Sequence, residues 1–240
     1  MNSIAQKSLY LSLDECFLLF SSLDISNITV FDELTLHKTD DRKLIYALKS
    51  LINKGVMESN GEKTSVAPAF VDLGMIINNS PFDFVIRYVS DSYPMQCVYI
   101  CNGYVVIIEN DPTRIGYYKI EQKGLNEWIL WLKELEFFPR GSCSDRRLDE
   151  IRIKQISKEI RMKKWNEENN TAIMRIKRFP KGNEKEDLEF MLIRDTLYDA
   201  FVISCKEMDK IVAFSSERLS EYIDILGKLT AEEIIEYDPG

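Results

Sequence analysis

The sequence predicts an α+β protein: an N-terminal winged-helix-like segment, then two pseudo-repeated halves, each an antiparallel β-meander plus a helix. Three observations carry this reading. Capped amphipathic helices and a tight hairpin come first, short apolar runs bounded by turn residues follow, and the pattern that begins at Tyr118 returns at Val212.

Ser12 and Glu15 have the spacing of a capping box, with Leu11 and Cys16 placed as a hydrophobic staple. A helix over Leu13 to Ser22 follows, with Cys16, Phe17, Phe20 and Leu23 on one side. Leu44, Ala47, Leu48, Leu51 and Ile52 recur at helical spacing and predict a second helix over Asp41 to Lys54. Gly55 stops it, because a residue without Cβ accepts the left-handed C-cap conformation. Val56-Met57, the turn residues Ser59-Asn60-Gly61 and Thr64 to Val66 read as a hairpin, which completes the winged-helix-like outline. Pro68 opens a third helix to Asn78.

Strands are expected at Phe82 to Ser90, Met95 to Cys101, Tyr104 to Glu109 and Gly116 to Glu121, with Asn102-Gly103 the strongest hairpin signal. A helix from Leu125 to Phe137 closes this half at Pro139-Arg140-Gly141. The second half opens with a long polar helix, Ser144 to Glu168. Strands at Thr171 to Phe179, Leu188 to Asp195, Ala200 to Cys205 and Lys210 to Phe214 come next, then a helix from Ser216 to Leu229. The expected halves are therefore 1–141 and 142–240.

The repeat rests on an ungapped match of Tyr118 to Leu135 with Val212 to Leu229. Leu125, Glu127, Ile129, Leu132 and Leu135 meet identical residues, and Trp128 meets Tyr222. Phe82 to Ile86 parallels Leu188 to Leu192, and Val98 to Cys101 parallels Val202 to Cys205. One supersecondary unit used twice accounts for this. Two meanders that each end in an amphipathic helix also match by pattern alone.

Composition bounds the function. At 240 residues, 45% hydrophobic and 29% charged, the chain can bury a sizeable core. Its net charge of −8 argues against nucleic acid and anionic membranes, which are bound through Lys and Arg. No basic region leads into an apolar run at the N-terminus, so membrane insertion is not expected and a cytoplasmic location is. The five cysteines are odd in number and lack a Cys-x-x-Cys spacing, which predicts reduced, buried thiols.

Residue patterns that carry catalysis were sought without success. His37 is the only histidine and sits in a polar loop, so histidine-based metal and nucleophile schemes lack a second member. Glycine-rich phosphate loops and a Gly-x-Ser-x-Gly elbow are absent from the sequence. Adjacent carboxylates such as Asp40-Asp41 and Glu232-Glu233 lie on polar segments and make no acid–base couple. The expectation is a protein without catalytic residues, cofactor or metal.

Two features point to a polypeptide partner. Val98 and Ile100 oppose Cys97, Tyr99 and Cys101, while Val105 and Ile107 oppose Tyr104, Val106 and Ile108, so these strands are apolar on both faces. Either the chain's own helices cover both faces or one face takes a partner. From Arg146 to Trp165 eight basic residues stand against three acidic ones. Ile153, Ile156 and Ile160 form one stripe there, and Leu148, Ile151, Met162 and Trp165 another. Such a helix lies between layers or offers a side to another protein; alternatively it is a solvated bridge with pairs such as Glu150 with Lys154.

This layout, a capped helix, a helix ending in Leu48-Lys-Ser-Leu-Ile-Asn-Lys-Gly55-Val-Met57, a short hairpin and a repeated meander plus helix, resembles the EspG-like chaperones of type VII secretion and their EsaE-like counterparts in Gram-positive bacteria. The resemblance covers nearly the whole chain. It implies a cytosolic, non-enzymatic chaperone or adaptor that holds a secreted helical-hairpin protein and presents it to the secretion ATPase machinery. By location in that layout, Ile153, Ile156, Ile160, Met162, Trp165, Tyr99 and Tyr104 become candidate protein-binding residues. An immunity protein that neutralises a toxin, a winged-helix transcriptional regulator and, last, an enzyme with a cryptic site are the other classes compatible with the sequence.

Overall fold

The first strand hands over to the first helix at a single residue. Ser12 ends β1 (Lys7–Ser12) and is also the N-cap of α1 (Leu13–Ser22). The expected capping box is present: Ser12 Oγ accepts from the Glu15 amide at 3.4 Å and the Glu15 carboxylate accepts from the Ser12 amide at 2.7 Å. Leu11 and Cys16, the staple pair, are both fully buried. The computed structural model describes residues 7–25, 40–88, 93–135, 170–182, 185, 188–195, 200–205, 210–213, 219, 220 and 223.

In chain order the further elements are α2 (Asp41–Asn53), β2 (Met57–Ser59), β3 (Thr64–Val66), α3 (Pro68–Asn79), β4 (Phe82–Tyr88), β5 (Gln96–Cys101), β6 (Tyr104–Asn110), β7 (Tyr117–Gly124), α4 (Leu125–Glu134), β8 (Asn170–Pro180), β9 (Leu188–Asp195), β10 (Ala200–Cys205) and β11 (Lys210–Ala213). Helices and antiparallel strands make this an α+β protein. The order helix, helix, two-stranded hairpin is found as expected, with Gly55 at φ +68° behind α2 and Gly61 at φ +91° in the hairpin turn. β1 was not anticipated. The expected helix over Ser144 to Glu168 lies outside the described residues.

Contacts divide the chain into two units whose segments alternate. The first comprises Met1–Phe84, Pro94–Leu125 and Pro180–Glu184; the second comprises Val85–Tyr93, Asn126–Phe179 and Lys185–Gly240. A single cut after residue 141 does not reproduce this. Lys181 shows why: its amide donates to the Pro81 carbonyl at 3.1 Å and its Nζ to the Ile77 carbonyl at 2.8 Å, which ties a late segment to an early one.

In the first unit the strands run β1-β7-β6-β5, all antiparallel. The pleat turns Leu11, Tyr118, Ile120, Val106, Ile108, Cys97 and Tyr99 into one buried cluster with Leu19, Phe20, Leu51, Leu73 and Ile77 from the helices. Gly74 allows α3 to approach closely, since a Cβ there would meet the Leu23 side chain at 3.0 Å. On the other sheet face Val98 and Val105 are fully buried and Ile107 is 1% exposed. Val98, Val105 and Ile107 therefore leave no bare face at their positions, while Ile100, Cys101 and Tyr104 are partly exposed. Ser80 pins the sheet to the end of α3: its hydroxyl donates to the Phe82 carbonyl at 2.6 Å and accepts from the Ile100 amide at 3.1 Å.

In the second unit β8, β9, β10 and β11 form an antiparallel meander with an irregularity between Ala172 and Met174. Met174, Leu188 and Leu192 are buried, and Arg175 meets Glu189 at 3.3 Å. Trp128, Ile129 and Leu132 form the buried stripe of α4. Ile223, which the sequence match sets against Ile129, is buried too. That match places β4 with β9, β5 with β10 and β7 with β11, and leaves β6 and β8 without counterparts.

Glu15 joins three elements. Its side chain is 4% exposed and receives Lys54 Nζ at 2.7 and 2.8 Å, and the same Nζ donates to the Tyr10 carbonyl at 2.9 Å. Burial pushes the Glu15 carboxyl up, but hydrogen bonds from Lys54, Ser50 and the Ser12 amide outweigh it, so the group titrates below its ordinary 4.5. Because the folded value is the lower one, its stabilisation is complete above pH 4.5 and is lost as the pH falls through the folded value. Lys54→Met strands the buried carboxylate and is expected to lower the unfolding free energy by about 2 kcal/mol at neutral pH, short of a fully buried pair because the lysine is partly open. Urea titrations below pH 4.5 should show a smaller loss of stability per pH unit in Glu15→Gln than in the parent; an equal loss would place the acid sensitivity elsewhere.

Candidate protein-binding surface

Alternation in β1 sends Leu9 and Leu11 into the core and Ser8, Tyr10 and Ser12 to the opposite face. Tyr10 pairs with Lys119, Lys119 with Glu109 and Glu109 with Gln96, so one row of side chains crosses the four strands. Gln96 Nε2 donates to Glu109 at 2.7 Å, Lys119 reaches Glu109 at 3.3 Å and Glu121 at 2.7 Å, and Lys123 reaches Glu121 at 2.8 Å. Burial disfavours the Glu121 carboxylate, yet hydrogen bonds from Lys119 and Lys123 outweigh it and hold the group below the ordinary range. Burial likewise works to lower Lys119, and its bond to Glu121 with the charge of Glu109 raises it instead.

The β6–β7 turn is held from within. The Asp111 carboxylate accepts from the Thr113 amide at 2.8 Å and hydroxyl at 2.6 Å, and backbone bonds link Asp111 with Tyr117 at 2.8 Å and Tyr117 with Arg114 at 3.1 Å. Gly116 takes φ +79°, a conformation that suits glycine. The turn sets the Arg114 guanidinium 5.9 Å from the centre of the Tyr117 ring and leaves Ile115 wholly exposed.

Helix α2 completes the site. Its apolar stripe faces inward through Ala47 and Leu51, which leaves Tyr46 72% exposed and Lys43 one turn earlier on the open side. Tyr10, Tyr46, Tyr117, Lys43, Arg114 and Asp14 line an open cleft of about 530 Å³, together with the Glu15–Lys54 pair. A second cleft of about 440 Å³, with Pro94, Glu109 and Lys119, shares Tyr10 and Arg114. Three distant segments of one unit thus converge on a surface rich in phenol rings and cations.

The residues expected from sequence fall elsewhere. Tyr99 has no exposed surface, and its phenol oxygen accepts from the Cys97 thiol at 3.2 Å, so this ring is core and offers nothing to a partner. Tyr104 is half-buried against the same cluster. Ile153, Ile156, Ile160, Met162 and Trp165 lie outside the described residues, as does His37. Burial pushes the Cys97 thiol up to about 12, which keeps it protonated and inert. Among the described residues no group of three His, Cys, Asp or Glu side chains could hold a metal, and no helix is long and apolar enough to cross a membrane. Sequence reasoning passed over Tyr10, Tyr46, Tyr117 and Arg114. The legible sign was Tyr46, a large ring on the polar side of an otherwise clean amphipathic helix.

Comparison with known protein families and with curated proteins gives no match to this chain.

Tyr46→Ser and Ile115→Ser, at 72% and 104% exposure, are each expected to change stability by less than about 0.5 kcal/mol. Tyr99→Ala should cost about 3–5 kcal/mol, because it empties a fully buried aromatic site. Urea midpoints of the three variants check this division between surface and core.

Proposed function

We propose that the chain is a non-enzymatic, cytosolic protein-binding chaperone or adaptor that holds a secreted helical protein for type VII secretion. The observation that supports binding is the convergence of exposed Tyr10, Tyr46 and Tyr117 with Arg114 around one open cleft. Tyrosine and arginine are the residues through which protein interfaces gain most of their energy, since each combines large contact area with a polar handle. The cleft's walls are braced by the sheet, the Glu15–Lys54 pair and the self-bonded turn, so little order has to be imposed on binding.

The kind of partner comes from the resemblance in layout to EspG-like chaperones: an elongated helical-hairpin protein kept soluble until it reaches the secretion ATPase machinery. On this reading the winged-helix-like segment is a mount for the cleft and not a reader of DNA.

Tagged purification from the native host, with a moderate salt wash and mass spectrometry, tests the proposal. One dominant secreted, mostly helical protein in near-equal amount is the expected result. A toxin whose activity is blocked in the complex would move the reading to immunity, and retained DNA with no protein partner would overturn it.

A further inference from the structure

We propose that the cleft between β1, α2 and the β6–β7 turn docks an acidic, aromatic-bearing segment of a partner polypeptide, with Lys43 and Arg114 receiving its carboxylates and Tyr10, Tyr46 and Tyr117 its apolar side chains. The inference rests on the protein-binding function proposed above and names the part of the partner that this site takes.

The charges of the lining decide the sign of the ligand. Glu15 and Lys54 neutralise one another at 2.7 Å, and the Asp111 carboxylate beside the cleft is engaged by the Thr113 amide and hydroxyl. Lys43 and Arg114 remain on the lining, neither in a salt bridge among the described residues, and Asp14 is the one further carboxylate there. Arg42 and Lys49 extend the exposed, cationic side of α2 beyond it. Three cations, Lys43, Lys54 and Arg114, thus face two carboxylates, Asp14 and Glu15, on the lining of a chain whose net charge is −8. A partner that covers these cations must supply anions, or leave desolvated charges uncompensated.

The rings decide the rest. Tyr46 is 72% exposed and Tyr10 47%, and Tyr117 is held against Arg114, so three amphipathic rings present faces to a ligand and hydroxyls to water. A polypeptide with alternate acidic and aromatic or aliphatic residues satisfies both sets. Duplex DNA could meet the cations with its phosphates, but it brings no apolar side chains for the rings.

Fluorescence anisotropy of a labelled copolymer of glutamate and tyrosine, titrated with the full chain, tests the site. Binding is expected, weakening severalfold between about 50 and about 300 mM salt. The Lys43→Glu, Arg114→Glu double variant should weaken it about tenfold or more with an unchanged melting temperature, and Tyr46→Ser, which has no packing to lose, should weaken it severalfold. Absence of copolymer binding, equal binding by parent and double variant, or tighter binding of a lysine–tyrosine copolymer or a short duplex DNA would each overturn the proposal. If the copolymer binds through these residues but purification yields no secreted protein, the site stands and the export role falls. If a purified secreted partner binds parent and double variant equally, the export role stands and this site falls.

Discussion

One buried carboxylate holds the N-terminal architecture together. Glu15 closes the capping box of α1, accepts the Ser12 amide at the free edge of β1, and draws in Lys54 from the C-cap of α2. Lys54 then covers the Tyr10 carbonyl on that same edge. An edge strand with open amides and carbonyls invites pairing with other chains. Here two of those groups are taken by a charge pair, so β1 is unsuited as a template at its C-terminal end. The same pair fixes where α2 ends relative to β1, and with it the spacing between Tyr10 and Tyr46. Position of the cleft and protection of the edge are therefore consequences of a single interaction.

The sheet face behind Tyr10 shows how a surface site is built beside a core. Along β5, β6 and β7 the rows Ile100–Val105–Lys123, Val98–Ile107–Glu121 and Gln96–Glu109–Lys119 grade from apolar to polar toward Tyr10. Buried charge is tolerated because signs alternate along β7: Glu121 sits between two lysines, and Lys119 between two carboxylates. A like-charged residue at position 121 would remove that compensation and leave two partly buried ammonium groups side by side. The gradient thus ends in fixed, neutral ground, and the exposed tyrosine stands on it without an unpaired charge beneath.

Much of the fold was legible because local rules acted alone. The capping box at Ser12 and Glu15, the glycine stop at Gly55 and the Asn102-Gly103 turn each specify structure within a few residues, and those elements fall where periodicity places them. β1 was missed because Leu9-Tyr10-Leu11 is a short alternation directly against a helix cap, and a strand of that length is defined by its pairing with β7 and not by its own residues. The division into interleaved units was illegible for the same reason: Lys181 joins the first unit through bonds to Ile77 and Pro81 that no local pattern announces. The site was harder still. Tyr99 looked like a surface candidate because both sides of its strand are apolar, but at that position apolarity meant burial, whereas Tyr104 is half-buried.

Exposed apolar side chains by themselves carry little weight, since soluble proteins scatter them widely. Val71 and Met75 illustrate the ordinary case: they stand four residues apart on α3, so their adjacency follows from helix geometry. The tyrosines of the cleft differ in kind. Tyr10 comes from a strand, Tyr46 from the outer side of a helix, and Tyr117 from the end of a turn, and no single periodicity relates them. Neither helix formation nor core packing requires a ring at position 46, where a small polar residue serves α2 as well. What brings these rings together is tertiary structure, and what they share is an open face beside Lys43 and Arg114. Convergence of that sort is the property that separates a built surface from incidental exposure, and it is why this cleft, more than any other exposed apolar position described, is the place where a partner should bind.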